Sequence, residues 1–87
     1  MYYTYILASL KDNSYYVGST SDIKQRLSYH NTGKSRYTKR KMPWNLIYSE
    51  EFLSLSLARK RELVIKSWKS RKAIERLMSS KALSSSG

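Results

Sequence analysis

Four side chains among the first thirty residues can bind an anion or move a proton: Tyr5, Tyr16, Arg26 and His30. Arg26 and His30 are four positions apart in a predicted helix, so their side chains are neighbours on its surface. A guanidinium beside an imidazole suits a phosphate clamp combined with a group that transfers a proton or orients water. The simpler alternative stays open, because a lone histidine is more often structural and a strand tyrosine is most simply a core residue with a polar tip.

The two tyrosines can take part in acid–base chemistry only under one condition. A phenol has a reference pKa of about 10, so it can act as a general base only where nearby positive charge stabilises the phenolate. Arg26 and a metal ion bound at Glu62 are the available sources of that charge.

Glu62 is the most informative single residue of the second half of the chain. It falls inside the apolar arc of a predicted helix, between Leu55, Ala58 and Ile65 on a helical projection. Burying a carboxylate is unfavourable unless it is paired or binds a cation. One interpretation is an ion pair with Lys66, four residues later. The other is a divalent-metal ligand, because Mg²⁺ often takes one or two carboxylates and completes its shell with water and phosphate oxygens. Considered alone, Glu62 favours the ion pair.

The charge of the chain points to a polyanionic partner. Lysine and arginine number 17 and aspartate and glutamate 6, which gives a net charge of +11. Such an excess attracts polyanions, with nucleic acid as the first candidate and acidic lipid as the second. A merely soluble basic protein is the remaining alternative. The polar, basic segment 31–43 is predicted to be an exposed loop that contacts a phosphate backbone, and the predicted nucleic-acid-binding residues are Lys34, Arg36, Tyr37, Lys39, Arg40, Lys41 and, further along, Lys66.

Several other chemistries fit the sequence poorly. The chain has no cysteine and one histidine, which excludes disulfides and the common zinc sites. It has no glycine-rich phosphate loop, and no Ser-His-Asp set stands out. No apolar run approaches the roughly 18–20 residues that span a membrane, and the N-terminus does not read as a signal peptide. We therefore expect a cytoplasmic protein.

The elements that must position these side chains follow from hydrophobic periodicity. Alternating residues predict strands over 1–8, 15–18 and 44–51, with a turn over 11–14 and Gly18 ending the second strand. The 3.6-residue pattern predicts helices over 23–30, from Ser54 or Ser56 to about Trp68, and over 71–78. The apolar arc predicted for the second helix consists of Leu55, Leu57, Ala58, Val64, Ile65 and Trp68. We expect one domain over 1–79 and a flexible, serine-rich tail over 80–87.

Taken together, these residues resemble the GIY-YIG nuclease family. The family's pattern is seen in Tyr5, in Tyr16-Val17-Gly18 eleven positions later, in Arg26 ten positions after Tyr16, and then in His30 and Glu62. The whole chain is similar to the small stand-alone members, and these are similar to the nuclease domain at the N-terminus of the bacterial excision-repair subunit that makes the 3′ incision. The segments that carry this likeness are YVGSTSDIKQRLSYHNTG, YTKRKMPWNLIYSEEF and ARKRELVIKSWKSRKAIERL.

The resemblance implies an α+β fold, with a three-stranded antiparallel sheet flanked by about three helices. It also implies hydrolysis of a phosphodiester with one divalent ion, Mg²⁺ or Mn²⁺. By position, Glu62 binds the metal, and Tyr5 and Tyr16 flank the scissile phosphate, one of them assisting deprotonation of the attacking water. Arg26 stabilises charge that develops on the phosphate, and His30 lies near the nucleophile.

Three positions depart from the family pattern. The first motif reads Tyr3-Thr4-Tyr5, so its glycine and isoleucine are absent, and position 19 is serine where the excision-repair relatives have lysine. The sequence thus predicts a metal-dependent DNA endonuclease, structure-selective and acting in DNA repair, with RNA not excluded as a ligand. The alternatives are a basic nucleic-acid-binding module that does not cut and, more distantly, a subunit recruited by a protein partner that supplies specificity.

Overall fold

The structure of the protein is a computed structural model that describes residues 1–86, apart from the side chains of Tyr37 and of residues 80–86. It confirms the predicted class: a three-stranded antiparallel sheet with helices packed on both of its faces. The elements in chain order are β1 (Tyr2–Ser9), β2 (Tyr15–Thr20), α1 (Ile23–Asn31), α2 (Arg36–Lys39), β3 (Trp44–Phe52), α3 (Leu55–Ser67) and α4 (Arg71–Ser86).

The strand order β2-β1-β3 places β1 in the centre and leaves β2 with one free edge. β1 and β2 form a hairpin whose turn includes Asn13 in the left-handed region, at a φ of 62°. Asparagine tolerates this conformation because its short polar side chain bonds locally. The prediction that Gly18 ends β2 was wrong, since the strand continues to Thr20 and Gly18 pairs with Tyr5 across the hairpin.

One face of the sheet packs against α3 and α4 through aliphatic side chains. Ile6, Val17, Ile65 and Ile74 are buried there, together with Tyr48. The start of α3 is also fixed to β1 by a hydrogen bond, because the buried Thr4 hydroxyl of β1 donates to the carbonyl of Ala58 over 2.6 Å.

The opposite face packs against α1 and contains aromatic and polar side chains. Tyr5, Leu7 and Trp44 are buried in this cluster, and Tyr16 packs against them. The indole Nε1 of Trp44 donates to the carbonyl of Thr38 over 2.9 Å, so the segment before β3 is held against the sheet by a buried hydrogen bond.

Side chains cap the starts of α1 and α3. The Asp22 carboxylate accepts from the backbone N–H of Gln25 at the start of α1. The Ser54 hydroxyl accepts from the N–H of Leu57 at the start of α3, which selects Ser54 over Ser56. Each cap satisfies a backbone donor that has no partner within its own helix.

Two predicted features were wrong in part. Segment 31–43 is not wholly an exposed loop, because it forms α2 behind the Ser35 cap and buries Thr38 completely. The apolar arc of α3 is narrower than predicted, because Ala58 and Ile65 are buried but Leu57 and Val64 are exposed. The helix lies against a single small sheet, and no further layer covers its flanks among the described residues.

The C-terminal helix starts at Arg71 as predicted, with Ile74 buried against the sheet. It runs to Ser86, beyond the end predicted near Met78. The side chains of residues 80–86 and all of Gly87 lie outside the described residues, so the flexible tail and the boundary at residue 79 stay predictions. Over residues 1–86, none of the helices is long and apolar enough to cross a membrane.

Candidate active site

A cleft of about 400 Å³ opens beside the free edge of β2, where α1 and α3 approach the sheet from opposite faces. We call it the central cleft. The hairpin, α1 and α3 all contribute to its lining, and the residues are Tyr5, Tyr16, Gly18, Ser19, Arg26, Arg59, Glu62 and Leu63. Four of the five residues that the sequence singled out for chemistry are thus brought to one cavity from three separate parts of the chain.

Gly18 allows the Tyr5 side chain to reach the central cleft from β1. The Tyr5 ring crosses β2 directly above Gly18, and a Cβ atom there would lie 2.5 Å from the Tyr5 hydroxyl oxygen and 2.7 Å from Cζ. Real Cβ atoms essentially never approach heavy atoms so closely, so any side chain at position 18 must displace the phenol. The glycine is therefore explained by close approach of Tyr5, not by an unusual backbone dihedral.

His30 lies behind Tyr5 and connects it to α2. The imidazole is only 2% exposed, with Nε2 3.2 Å from the Tyr5 hydroxyl and Nδ1 2.9 Å from the Thr38 hydroxyl. Tyr5, His30 and Thr38 thus form a buried chain of hydrogen bonds that leads from the central cleft into the protein.

Burial keeps both ends of the Tyr5–His30 contact uncharged. Burial, with a further contribution from the neighbouring Tyr16, raises the pKa of Tyr5 well above its usual value, and Arg26 offsets part of this. Burial first and the Arg26 charge second lower the pKa of His30. A neutral imidazole has one N–H, so the consistent arrangement has the Tyr5 hydroxyl donating to Nε2 and the Nδ1–H donating to Thr38.

The carboxylate of Glu62 is held in the central cleft by two donors. Its Oε1 accepts from the Ser19 hydroxyl over 2.7 Å, and its Oε2 lies 2.5 Å from the Lys66 ammonium. The Glu62 side chain is 17% exposed, against 46% for Lys66. The ion pair that the sequence offered as one interpretation is therefore present, and it lies at the same place as the predicted metal ligand.

The donor set fits a weakly held hard cation. Among the described residues no group of three or more histidine, cysteine, aspartate or glutamate side chains could hold a metal. A dedicated protein cage is thus not present in that part of the chain. One carboxylate facing a cleft beside hydroxyl groups suits Mg²⁺ or Mn²⁺, which retain water and take phosphate oxygens from a substrate. Glu62 is the residue that would hold the ion.

Tyr16 and Arg26 form the remaining walls. The Tyr16 ring centre lies 4.8 Å from that of His30 and 6.4 Å from that of Tyr5. Arg26 projects from α1 and its guanidinium stacks on the Tyr29 ring, 5.2 Å from the ring centre. Aromatic contacts therefore fix the positions of the phenol and the guanidinium before any ligand arrives.

The structure distributes the predicted nucleic-acid-binding residues unevenly around the central cleft. Lys34 lines an adjoining depression that also includes Arg26. Lys41 instead donates to Ser14 and pairs with Asp12 at the hairpin turn. Arg36, Lys39 and Arg40 are exposed on or beside α2. Lys66 pairs with Glu62. The side chain of Tyr37 lies outside the described residues.

Three residues that sequence reasoning did not assign to the site belong to its surroundings. Ser19 stands where the excision-repair relatives have lysine, and its hydroxyl donates to Glu62. Arg59 also lines the central cleft, and its position three residues before Glu62 is the signal that could have found it. No local pattern marks Thr38, because it is one threonine in a basic segment and meets His30 only after folding.

Comparison with known proteins agrees with this fold. The model of the GIY-YIG catalytic domain matches residues 1–75, so the chain belongs to the GIY-YIG family, a family of nucleases. Within that family it is similar to UPF0213 proteins. It is 42% identical to one from Streptococcus pneumoniae over 74% of this chain and 65% of the relative, so the match spans less than two thirds of that protein.

Two further relatives match over a larger share of their length. A UPF0213 protein of Staphylococcus haemolyticus is 44% identical over 77% of this chain and 82% of the relative. The solution NMR structure of the UPF0213 protein BH0048 from Bacillus halodurans is 37% identical and superposes with a TM-score of 0.58, over 93% of this chain and 86% of that chain.

Proposed function

We propose that this protein is a divalent-metal-dependent endonuclease that hydrolyses phosphodiester bonds of DNA. One observation carries the proposal: Tyr5, Tyr16, Arg26 and Glu62 line a single cleft, although they come from three separate parts of the chain. Together they supply phenols, a guanidinium and a carboxylate within the reach of one phosphate group. The net charge of +11 favours a polyanionic substrate.

The buried hydrogen-bond chain gives the attacking water a path for its proton. Burial raises the pKa of Tyr5, so the phenolate is disfavoured there. Tyr5 can instead accept a proton from water as it passes its own to Nε2 of His30, 3.2 Å away. Thr38, at Nδ1, then stabilises the imidazolium that forms. Such general-base assistance typically contributes about 10²–10⁴-fold to a rate.

The positive charges of the central cleft complement the negative charge that a phosphate group develops during hydrolysis. Arg26 and Arg59 line the same cavity, and a preorganised cation stabilises the negative charge that grows on the non-bridging oxygens. Glu62 would hold Mg²⁺ or Mn²⁺, and the chemistry that such an ion supplies when bound is neutralisation of charge on phosphate oxygens. Lys66 must release Glu62 for this to happen, and it is then free to contact the substrate backbone.

The second candidate function is a basic module that binds nucleic acid without cutting it. The observation that favours it is the pairing of Glu62, since Oε1 already accepts from Ser19 and Oε2 already contacts the Lys66 ammonium. In this alternative, Lys66 is a permanent replacement for the metal ion.

Several finer features belong to the same proposal. The basic residues around the cleft contact the backbone and not the bases, so cleavage is structure-selective or weakly selective in sequence. A role in DNA repair, a cytoplasmic location and a protein partner that supplies specificity are extensions of this proposal.

Replacement of the proposed metal ligand tests the function. We expect Glu62→Gln to reduce Mg²⁺- or Mn²⁺-dependent cleavage of labelled linear, branched and single-stranded DNA by at least about 10²-fold, because even partners of metal ligands are worth 10–100-fold. Affinity for Mn²⁺, measured by electron paramagnetic resonance, should fall in parallel. The matched control is Glu51→Gln, an exposed carboxylate of β3, and it should cleave like the wild type.

The two candidate functions give different results in this experiment. Cleavage that needs metal, stops with chelator and is lost in Glu62→Gln supports the nuclease. DNA binding without cleavage of any substrate, unchanged in Glu62→Gln, contradicts it and supports the binding module.

A further inference from the structure

A second and larger depression, of about 680 Å³, adjoins the central cleft. It lies between the first residues of β2, the end of α3 and the start of α4, and we call it the edge pocket. Tyr16 lines both cavities. Lys66, which pairs with Glu62 of the central cleft, lines the edge pocket as well. A chain that follows the surface out of the central cleft past Tyr16 therefore enters the edge pocket next.

The floor and one wall of the edge pocket are apolar or planar. Val17 and Ile65 form the floor. The Arg71 guanidinium lies over the Tyr15 ring at 4.3 Å from its centre. Arg71 is held there because it also donates to the backbone carbonyl of Asn13 over 2.6 Å. It pairs at 3.5 Å with Glu75, whose carboxylate also accepts from the Tyr15 hydroxyl. A guanidinium plane fixed on an aromatic ring is a surface on which a nucleobase can stack.

The rim of the edge pocket is cationic. Lys66 and Lys69 lie there, and no carboxylate is among the residues that line it. Lys69 has a φ of 48°, in the left-handed region, directly after α3 ends. Glycine is the usual residue at this position of a helix end, because any Cβ is unfavourable there. A lysine is therefore unfavourable for the backbone at this position, and its ammonium is a charge that glycine would not supply.

We propose that the edge pocket receives one unpaired nucleotide adjacent to the phosphate held in the central cleft. The base stacks on Arg71 over the apolar floor, and its phosphate contacts Lys66 and Lys69. This deepens the proposed nuclease function, on which it rests, by defining the substrate class as DNA with an unpaired nucleotide beside the cut, such as a bulge, a flap or a frayed end.

Base pairing explains why the substrate must be locally unpaired. A base that is paired and stacked in a duplex cannot enter a pocket beside the backbone. Extruding it costs a few kcal/mol, and the cost is least where the base is already unpaired. Stacking of one base on a protein surface returns about 1–3 kcal/mol, which is enough to favour the unpaired substrate but not to open any duplex.

The sharpest test variant is Lys69→Gly. It removes the ammonium, and glycine is favourable at a φ of 48°, so the variant is expected to fold at least as well as the parent. The matched control is Lys72→Ala, which removes one charge from an exposed position of α4 outside the edge pocket. Both are made in the Glu62→Gln background, so that binding is measured without cleavage.

The affinities of two DNA duplexes are then compared, one fully paired and one with a single-nucleotide bulge. We expect the parent to bind the bulged duplex at least about 10-fold more tightly. Lys69→Gly should reduce this preference by at least about 3-fold, whereas Lys72→Ala should weaken both duplexes equally. Equal binding of the two duplexes by the parent, or a Lys69→Gly variant that behaves like Lys72→Ala, overturns the proposal.

NMR locates the nucleotide directly. Titration with the bulged duplex should shift the methyl resonances of Val17 and Ile74, which line the edge pocket, more than those of the exposed Leu53. Uniform shifts overturn the proposal. Because these readouts need no catalysis, the two failures are distinguishable: loss of the bulge preference with cleavage intact leaves the nuclease standing, and absence of cleavage with the preference intact removes only the nuclease.

Discussion

The face of the sheet that packs against α3 and α4 is mainly aliphatic, whereas the face that packs against α1 contains tyrosines and a tryptophan and meets His30 of that helix. Ile6 and Tyr5 are neighbours in β1 and point to these opposite faces. Ile6 contacts apolar groups, and another apolar side chain of similar shape could take its place. The Tyr5 hydroxyl lies 3.2 Å from Nε2 of His30, and its ring crosses Gly18, where a Cβ atom would collide with it.

The difference separates stability from chemistry within one small domain. Burial of aliphatic groups is non-directional and roughly proportional to area, so the aliphatic face can stabilise the fold without fixing any single atom. Hydrogen bonds in a buried network depend on distance and angle, so the aromatic face fixes individual atoms of the candidate site. Substitutions on the aliphatic face should lower stability and leave the cleavage rate nearly unchanged. Substitutions on the aromatic face should lower the cleavage rate more than the stability.

The largest effect on stability is expected at the aliphatic face. Ile6 is completely buried, so Ile6→Ala should lower the free energy of unfolding by about 2–5 kcal/mol, and Ile6→Val by about 0.5–1.5 kcal/mol. Urea denaturation measures both. The folded fraction of each variant should cleave DNA at a rate within about 3-fold of the wild type.

The contrast between the two faces is wrong if a substitution on the aliphatic face impairs cleavage as well as stability. A folded Ile6→Val protein with a 100-fold lower cleavage rate would show that the aliphatic face also fixes the geometry of the candidate site. The milder variant keeps the test usable if Ile6→Ala does not fold.

A smaller effect on stability, with a larger effect on chemistry, is expected at Gly18. In Gly18→Ala the new methyl would lie 2.5 Å from the Tyr5 hydroxyl, and overpacking of this kind typically costs 1–3 kcal/mol. Displacement of the phenol by about 1 Å should lower the cleavage rate by about 10²-fold. Denaturation and single-turnover cleavage measure the two effects.

A double-mutant cycle identifies the cause. In a Tyr5→Ala background the same Gly18→Ala change meets no ring, so its cost in stability should fall by more than half. An equal cost in both backgrounds would mean that Gly18 is needed for a reason other than the approach of Tyr5.

The sequence predicted the aliphatic face better than the aromatic one. Alternation in β1 and helical spacing at Ile65 and Ile74 are local patterns that indicate burial directly. The site required contacts between distant residues, and resemblance to a known family supplied them where periodicity could not. Thr38 shows the limit, since its hydroxyl meets His30 only because α2 folds back against α1. Tertiary packing alone decides such a contact.

The smallest effect, and the most specific to the aromatic face, is a dependence of stability on pH. His30 is the single histidine of the chain, so between pH 5.5 and 7.5 its titration can be followed separately from that of the carboxylates, whose reference pKa values lie near 4. Burial first, and Arg26 second, lower its pKa in the folded state. The unfolded chain, with a pKa near 6.5, therefore binds the proton more readily, and stability must fall as the pH decreases through 6.5.

The expected slope in that window is at most about 1.4 kcal/mol per pH unit, for one proton, and it ends once the pH passes below the lowered pKa of the folded state. Urea denaturation at several pH values measures it. His30→Gln should remove the slope, because the amide does not titrate. Ile6→Val should keep the slope and shift the whole curve downward, because its change lies on the other face. A slope of the same size in His30→Gln would place the titrating group elsewhere and would remove the evidence that the Tyr5–His30 contact is neutral at pH 7.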